Sequence, residues 1–268
     1  MKYFKPILPF LLLGLFAGCE KEDVVPLSNA RSITKCIAHR GVLDRSDPSI
    51  IENSMSAFEA AYQAGAQGTE LDLFLTQDGV PVISHGGNLG ELGKSKPGKV
   101  CPVATGFSGL TAAELKENCL LINGDEVPFF EDVLARFSGR EFYLILDFKY
   151  APDQRTIDLM KRYYQGRSHL LLSEVTITNS FYRDLKLRSE LPGKLLITAG
   201  TYKFGTENGV DGIEAETLGD MDIALLHEKG KVISLYNVED YSELKHYVEK
   251  NVDFITTFSM QSCLEAKR

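Results

Sequence analysis

Eight short β-branched or apolar runs, at 33–38, 69–75, 142–148, 171–178, 193–199, 210–215, 231–236 and 252–257, recur through the sequence, most of them separated by segments of helical spacing. Strands that alternate with helices predict a parallel sheet, because a parallel pair needs a crossover connection. About eight such strands close most economically into a barrel, and 268 residues suit that architecture. The expected fold class is therefore α/β, a TIM-type (β/α)8 barrel. A doubly wound open sheet is the alternative, but no Gly-rich phosphate loop follows the first run. Residues 54–64 typify the helices: Met55, Phe58 and Tyr62 share one face, Asn53 is the expected N-cap and Gly65 the stop. Similar patterns predict helices at 154–165, 180–188, 219–229 and 239–250.

Two regions break the alternation. Thr76-Gln77-Asp78-Gly79 leads into Val80–His85, and Asp-Gly between apolar runs predicts a hairpin. With Asp78-Gly79 as a two-residue loop, Asp72 falls opposite His85; another register puts Glu70 there. Residues 86–127, rich in Gly, Lys and Pro with one brief helical stretch near Thr111–Glu117, read as a small insertion over one barrel mouth.

Charge narrows the function. Asp and Glu number 37 against 29 Lys and Arg, a formal charge of -8, with no dense basic stripe, so nucleic acid is not an expected partner. An anionic ligand must be drawn by a local cluster of cations or by a metal. At the amino terminus, Lys2 and Lys5 precede an apolar run from Ile7 to Phe16, too short to span a bilayer and laid out as a secretory signal. Phe16-Ala17-Gly18-Cys19 resembles a bacterial lipobox, with Phe16 in place of the usual Leu, and Glu20-Lys21-Glu22-Asp23 resembles an acidic surface-export tract. These resemblances imply a signal peptide over 1–18, lipid on Cys19, a tether over 19–30 and a barrel domain over 31–268, anchored to the outer membrane and exposed at the cell surface. Of the remaining cysteines, Cys101 and Cys119 share one Gly/Pro/Lys-rich stretch and are candidates for a disulfide in an oxidising compartment; the alternative is free buried thiols, especially for Cys36 inside an apolar strand.

Polar residues inside strands carry the chemistry. Glu70 and Asp72 alternate with Leu71 and Leu73, and Asp147 and Lys149 alternate with Phe148, so each polar pair points to one face. In a parallel barrel, such residues near the carboxyl ends of strands face the active-site mouth. Carboxylates held close together repel, so a cation is expected among them, and oxygen ligands select hard Ca2+ or Mg2+. Structural ion pairs with Lys149 and Arg40 are the competing reading. His39 closes the first strand, followed by Arg40, which can clamp a phosphate, while histidines can move protons near neutral pH. His39, Arg40, Glu52, Glu70, Asp72, His85, Asp147 and Lys149 together offer two acid/base groups, two phosphate binders and acidic metal ligands. His169, His227 and His246 read as surface or packing residues.

Ala38-His39-Arg40-Gly41, Glu52-Asn53-Ser54, Glu70-Leu71-Asp72, Thr76-Gln77-Asp78-Gly79 and Ser84-His85 resemble, in order and spacing, the motifs of the glycerophosphodiester phosphodiesterase family. Weaker echoes run through Asp147-Phe148-Lys149, Asn179-Ser180-Phe181, Tyr236-Asn237 and Asp253-Phe254-Ile255-Thr256. The resemblance implies a TIM-type barrel that hydrolyses small phosphodiesters such as glycerophosphocholine to glycerol 3-phosphate and an alcohol, using one divalent cation and no obligatory protein partner. It implies His39 and His85 as general acid and base, Glu70, Asp72 and Asp147 on the metal, Arg40 and Lys149 on the phosphate, and Glu52 in support. Three positions depart from the family: Gly86 follows the second histidine in place of Asp, Asp147 replaces Glu, and a position near Ser234 lacks the frequent Trp. These departures bear on leaving-group preference. Rival readings are a phospholipase-type barrel acting on intact phospholipids and a surface lipoprotein that binds phosphodiesters without turnover.

Overall fold

The computed structural model describes residues 33–198, 202–207 and 209–268. The expected signal peptide, Cys19 and the tether lie outside the described residues. The strands are β1 (Lys35–Ala38), β2 (Gly68–Leu75), β3 (Pro81–Ile83), β4 (Gly93–Ser95), β5 (Cys119–Leu121), β6 (Tyr143–Phe148), β7 (Leu171–Thr176), β8 (Lys194–Thr198), β9 (Gly212–Ala215), β10 (Val232–Tyr236) and β11 (Phe254–Thr257). Parallel pairing runs β1-β11-β10-β9-β8-β7-β6-β2, and β1 also pairs in parallel with β2, which closes an eight-stranded barrel. Every run predicted as a parallel strand is one.

The barrel is filled in layers by the two-residue alternation of its strands. Leu71, Leu73, Leu144, Leu146, Ile213 and Leu235 face outward into the main core, which the helices cover. Facing inward, Ile37, Ile145, Leu172, Leu196, Val232 and Phe254 form a separate apolar plug near the amino ends of the strands. Two residues further along, the same inward positions turn polar: His39, Asp147, Glu174, Thr198, Ser234 and Thr256. Burying each plug side chain contributes roughly 1.5–3 kcal/mol, so the plug stabilises a barrel whose upper half carries charge.

The covering helices include α1 (Met55–Gln63), α2 (Ala112–Asn118), α3 (Phe130–Phe137), α4 (Gln154–Tyr164), α5 (Ser180–Arg183), α6 (Leu185–Glu190), α7 (Tyr202–Gly205), α8 (Asp220–Glu228), α9 (Tyr241–Glu249) and α10 (Met260–Ala266). None is long and apolar enough to cross a membrane. The helix expected over 180–188 divides into α5 and α6, because Asp184 leaves helical geometry and its carboxylate caps α6. Asn53 is not the cap of α1. Ser54 fills that role, its hydroxyl accepting the Ala57 N–H at 3.1 Å.

The hairpin register also differs from the expectation by one residue. Thr76 pairs with Val80 through backbone and hydroxyl hydrogen bonds, so the loop is Gln77–Gly79, and Ser84, not His85, lies opposite Asp72. The short antiparallel strand β3 follows, and the insertion beyond it builds its own apolar cluster around Leu89, Phe107, Leu115 and Phe129, with β4 and β5 pairing antiparallel. Cys101 and Cys119 form a disulfide inside it.

Cys36 is not a free thiol. It is bonded to Cys263 of α10, 227 residues away, and so ties the first strand to the last helix. Cross-linking so long a loop removes entropy from the unfolded chain, by about 5 kcal/mol in the chain-entropy picture. Replacing both cysteines by Ala is expected to lower unfolding free energy by about 2–4 kcal/mol, read from urea melts under oxidising conditions. Equal midpoints would show that the bridge adds nothing.

Candidate active site

The polar ends of the barrel strands converge on a cavity of about 240 Å³ lined by His39, Arg40, Glu70, Asp72, Asp147 and Lys149, with Glu174, Thr198, Glu214, Tyr236, Asn237 and Thr256 completing the wall. Six of the eight residues predicted for the site therefore share one pocket. His85 and Glu52 stand beside it, paired with each other at 3.9 Å between Nδ1 and Oε1.

Arg40 adopts a left-handed backbone, φ +54°, which disfavours an L residue by about 1–2 kcal/mol. The conformation is held from both sides: its N–H donates to Glu70 Oε2 at 3.1 Å, and its carbonyl accepts the Asn53 N–H at 2.9 Å. Gly41 follows at φ +79°, packed so tightly that a Cβ there would lie 2.8 Å from Phe58 Cδ1. This strained corner swings the Arg40 side chain over the cavity, where Nη1 bonds both Glu52 oxygens at 3.2 and 3.1 Å and Nε lies 3.2 Å from Asp72 Oδ2. Asn53, also left-handed at φ +52°, turns its amide to the site and donates from Nδ2 to Asp72 Oδ2 at 2.9 Å. The residue read as a helix cap is a positioning residue for Asp72.

Glu70, Asp72 and Asp147 each offer an oxygen, and these oxygens lie within 4.8 Å of one another. Register explains the convergence: Asp72 on β2 is directly paired with Asp147 on β6, and Glu70 is two residues earlier on the same face. The competing ion pairs exist as well. Lys149 Nζ is 3.0 Å from Asp72 Oδ1 and 2.5 Å from Asp147 Oδ2. Burial works against the charge of Lys149, but the two aspartates outweigh it and raise its pKa above the ordinary lysine value.

Glu70 is different. It is 4% exposed, and among the described residues the one basic side chain paired with it is His39, at 3.7 Å. Burial, then repulsion from Asp72 and Asp147, pushes its carboxyl well above the usual range. Burial likewise raises Asp147. Three crowded oxygen donors, one without a lysine or arginine of its own, fit a hard divalent cation. Asp147, one methylene shorter than the Glu it replaces, still brings an oxygen into the group.

The two histidines sit in unlike environments. His39 is 8% exposed, stacked on Phe258 with ring centroids 4.2 Å apart, and burial followed by the Arg40 charge lowers its pKa to about 3, so the imidazole is neutral. His85 is half exposed and faces Glu52, not Glu70 or Asp72; it lies in a bend two residues beyond β3, where strand alternation no longer sets its direction. Gly86 stands where the family has Asp, and a Cβ there would press on the Asn88 carbonyl oxygen at 3.3 Å, a contact that needs a small backbone shift.

Glu174 and Glu214 escaped the sequence reading, although the signal was present. Each is a lone acid within an apolar strand, two residues beyond Leu172 and Gly212, the pattern that singled out Glu70 and Asp147. Both are buried, 1% and 5% exposed, and face each other closely enough to hydrogen-bond.

Residues 39–186, more than half of the chain, match the model of the Glycerophosphoryl diester phosphodiesterase family. Glycerophosphodiester phosphodiesterase 1 of Bos taurus is 27% identical over 164 residues, 58% of this chain and 46% of the bovine one. The chain spans about half the length of the curated relatives it matches. Among solved structures, a glycerophosphodiester phosphodiesterase of Agrobacterium tumefaciens superposes with a TM-score of 0.69 at 19% identity, covering 87% of this chain and 99% of that one. An Oleispira antarctica phosphodiesterase solved in complex with the product sn-glycerol-3-phosphate superposes at 0.65 with 20% identity, covering 87% and 96%. These structures share the fold. With its barrel, its matched segment and the motifs around His39, Glu70 and His85 all in register, the chain belongs to the glycerophosphoryl diester phosphodiesterase family.

Proposed function

We propose that this protein hydrolyses glycerophosphodiesters to glycerol 3-phosphate and an alcohol, using one divalent cation, Ca2+ or Mg2+, and histidine acid/base catalysis. The observation that carries the reading is the meeting of Glu70, Asp72 and Asp147 with Arg40 and Lys149 in one cavity. Arg40 and Lys149 fit a phosphodiester monoanion and offset charge on its nonbridging oxygens. Glu70, Asp72 and Asp147 would hold the cation, which supplies Lewis-acid polarisation of a phosphoryl oxygen. His39, buried at the cavity wall, is placed to accept a proton from the attacking hydroxyl or water; His85, beside Glu52 at the cavity edge, is placed to deliver one to the departing alcohol. An Oleispira antarctica phosphodiesterase of the same fold was solved with sn-glycerol-3-phosphate, which supports a small phosphate ester as the ligand class. A coupled assay for glycerol 3-phosphate release from several glycerophosphodiesters tests the activity. Release from none of them would leave a binding protein.

We further propose that the chain is an exported lipoprotein anchored through Cys19. Two disulfides suit an oxidising compartment, and the lipobox-like segment supplies the attachment point. Cys19→Ala is expected to move the protein from the membrane fraction to the soluble or unprocessed one while specific activity stays the same. Continued recovery in the membrane would refute the anchor.

A further inference from the structure

Glu174 and Glu214 occupy the cavity wall on β7 and β9, flanking Thr198 on β8 and opposite in charge to the phosphate-binding side. Nothing in the proposed hydrolysis uses them. Arg40 is engaged by Glu52 and Asp72, and Lys149 by Asp72 and Asp147, so no lysine or arginine pairs with either glutamate among the described residues. Glu174 Oε1 is buried with no hydrogen-bond partner, and Glu214 Oε2 receives only a long 3.4 Å bond from the Thr198 hydroxyl. Two further interior hydroxyls, Ser234 beside Glu214 in register and Thr256 on the cavity wall, also lack partners. Leaving buried acids and hydroxyls unsatisfied is costly, and an apolar layer like the plug below would close the barrel without that cost.

We propose that Glu174 and Glu214 bind a primary ammonium group on the substrate, so that the enzyme selects glycerophosphodiesters whose alcohol is an amino alcohol of the ethanolamine type. The inference rests on the phosphodiesterase reading above and adds a specificity site to it. Charge points the same way: two buried carboxyls without a lysine or arginine partner among the described residues favour a cationic substituent over a neutral one. The unpartnered oxygen atoms also need N–H donors, which a primary ammonium has and a quaternary one lacks. Quaternary ammonium recognition relies instead on aromatic faces, and among the described residues Tyr236 is the single Phe, Tyr or Trp lining the cavity.

The test is kcat/KM for glycerophosphoethanolamine, glycerophosphocholine and glycerophosphoglycerol in the wild type, Glu174→Gln and Glu214→Gln. The wild type should prefer the ethanolamine ester by about ten-fold or more, as expected for a charge-assisted bond, and each variant should erase most of that preference. Equal losses on all three substrates would place the common glycerol end at these residues and overturn the proposal. So would a wild type that does not discriminate. If no diester is hydrolysed, the phosphodiesterase reading fails separately, and thermal shifts still decide the subsite: phosphoethanolamine should stabilise the wild type more than phosphocholine, with the difference lost in Glu214→Gln. Equal shifts would refute it.

Discussion

Stripping divalent cations from the protein is expected to abolish turnover, and adding back Ca2+ or Mg2+ to restore it. The expectation follows from Glu70, whose buried carboxyl faces Asp72 and Asp147 with, among the described residues, only the His39 ring as a basic side-chain partner. Lys149 and Arg40 neutralise the aspartates but leave the glutamate oxygens for a cation. Lewis-acid stabilisation of a phosphoryl oxygen contributes several kcal/mol, so activity should fall by about 10³-fold or more. A binding readout accompanies the kinetic one. A cation at 100 times its Kd adds about 2.7 kcal/mol to folded-state stability, and Glu70→Gln, which can still accept the Arg40 N–H, should remove that increment while the fold persists. Undiminished turnover after exhaustive chelation would end the metal assignment.

The second large effect belongs to the histidines. His39→Ala and His85→Ala should each lower kcat by about 10²–10⁴-fold, the usual range for a lost general acid or base. His85 is half exposed, so its truncation disturbs little packing. His39 stacks on Phe258, and His39→Gln serves as the variant that preserves bulk. Aryl phosphodiesters, whose leaving group needs little protonation, separate the roles: the variant lacking the acid should lose much less activity on them than on glycerophosphoethanolamine. With His85 as the acid, that sparing appears in His85→Ala and not in the His39 variants. Wild-type kcat in either single variant would refute its role.

Most of the barrel was legible because strand alternation and helix spacing are local, repeated signals. The run Gly68–Leu75 announces its own two faces, and with them the placement of Glu70 and Asp72. What stayed hidden depends on exact register or distant partners. Asp78-Gly79 marks a hairpin, but whether the loop has two residues or three turns on the Thr76 hydroxyl bonding Val80, and the bend beyond β3 that brings His85 to Glu52 has no local signal. Asn53 and Ser54 are both capable caps, and only the left-handed turn at Asn53 frees its amide for Asp72. Helix α3 escaped notice between the insertion and β6. Glu174 and Glu214 fit the alternation rule but match no motif that would have drawn attention to them. The Cys36–Cys263 bond joins positions that nothing local relates.

That bond and the β1–β11 pairing beside it impose an order of assembly. β1 has one neighbour, β2, early in the chain and the other, β11, at residues 254–257. As the polypeptide is made, its first strand must wait beside a half-built sheet until nearly the whole chain has appeared, and the cysteine in it waits for α10. Contacts of such long sequence separation form slowly, so the nascent barrel stays open at this seam. A chain that cannot close before its last helix arrives keeps this seam open throughout synthesis, and the Cys36–Cys263 bond can lock it only after α10 has docked beside β1.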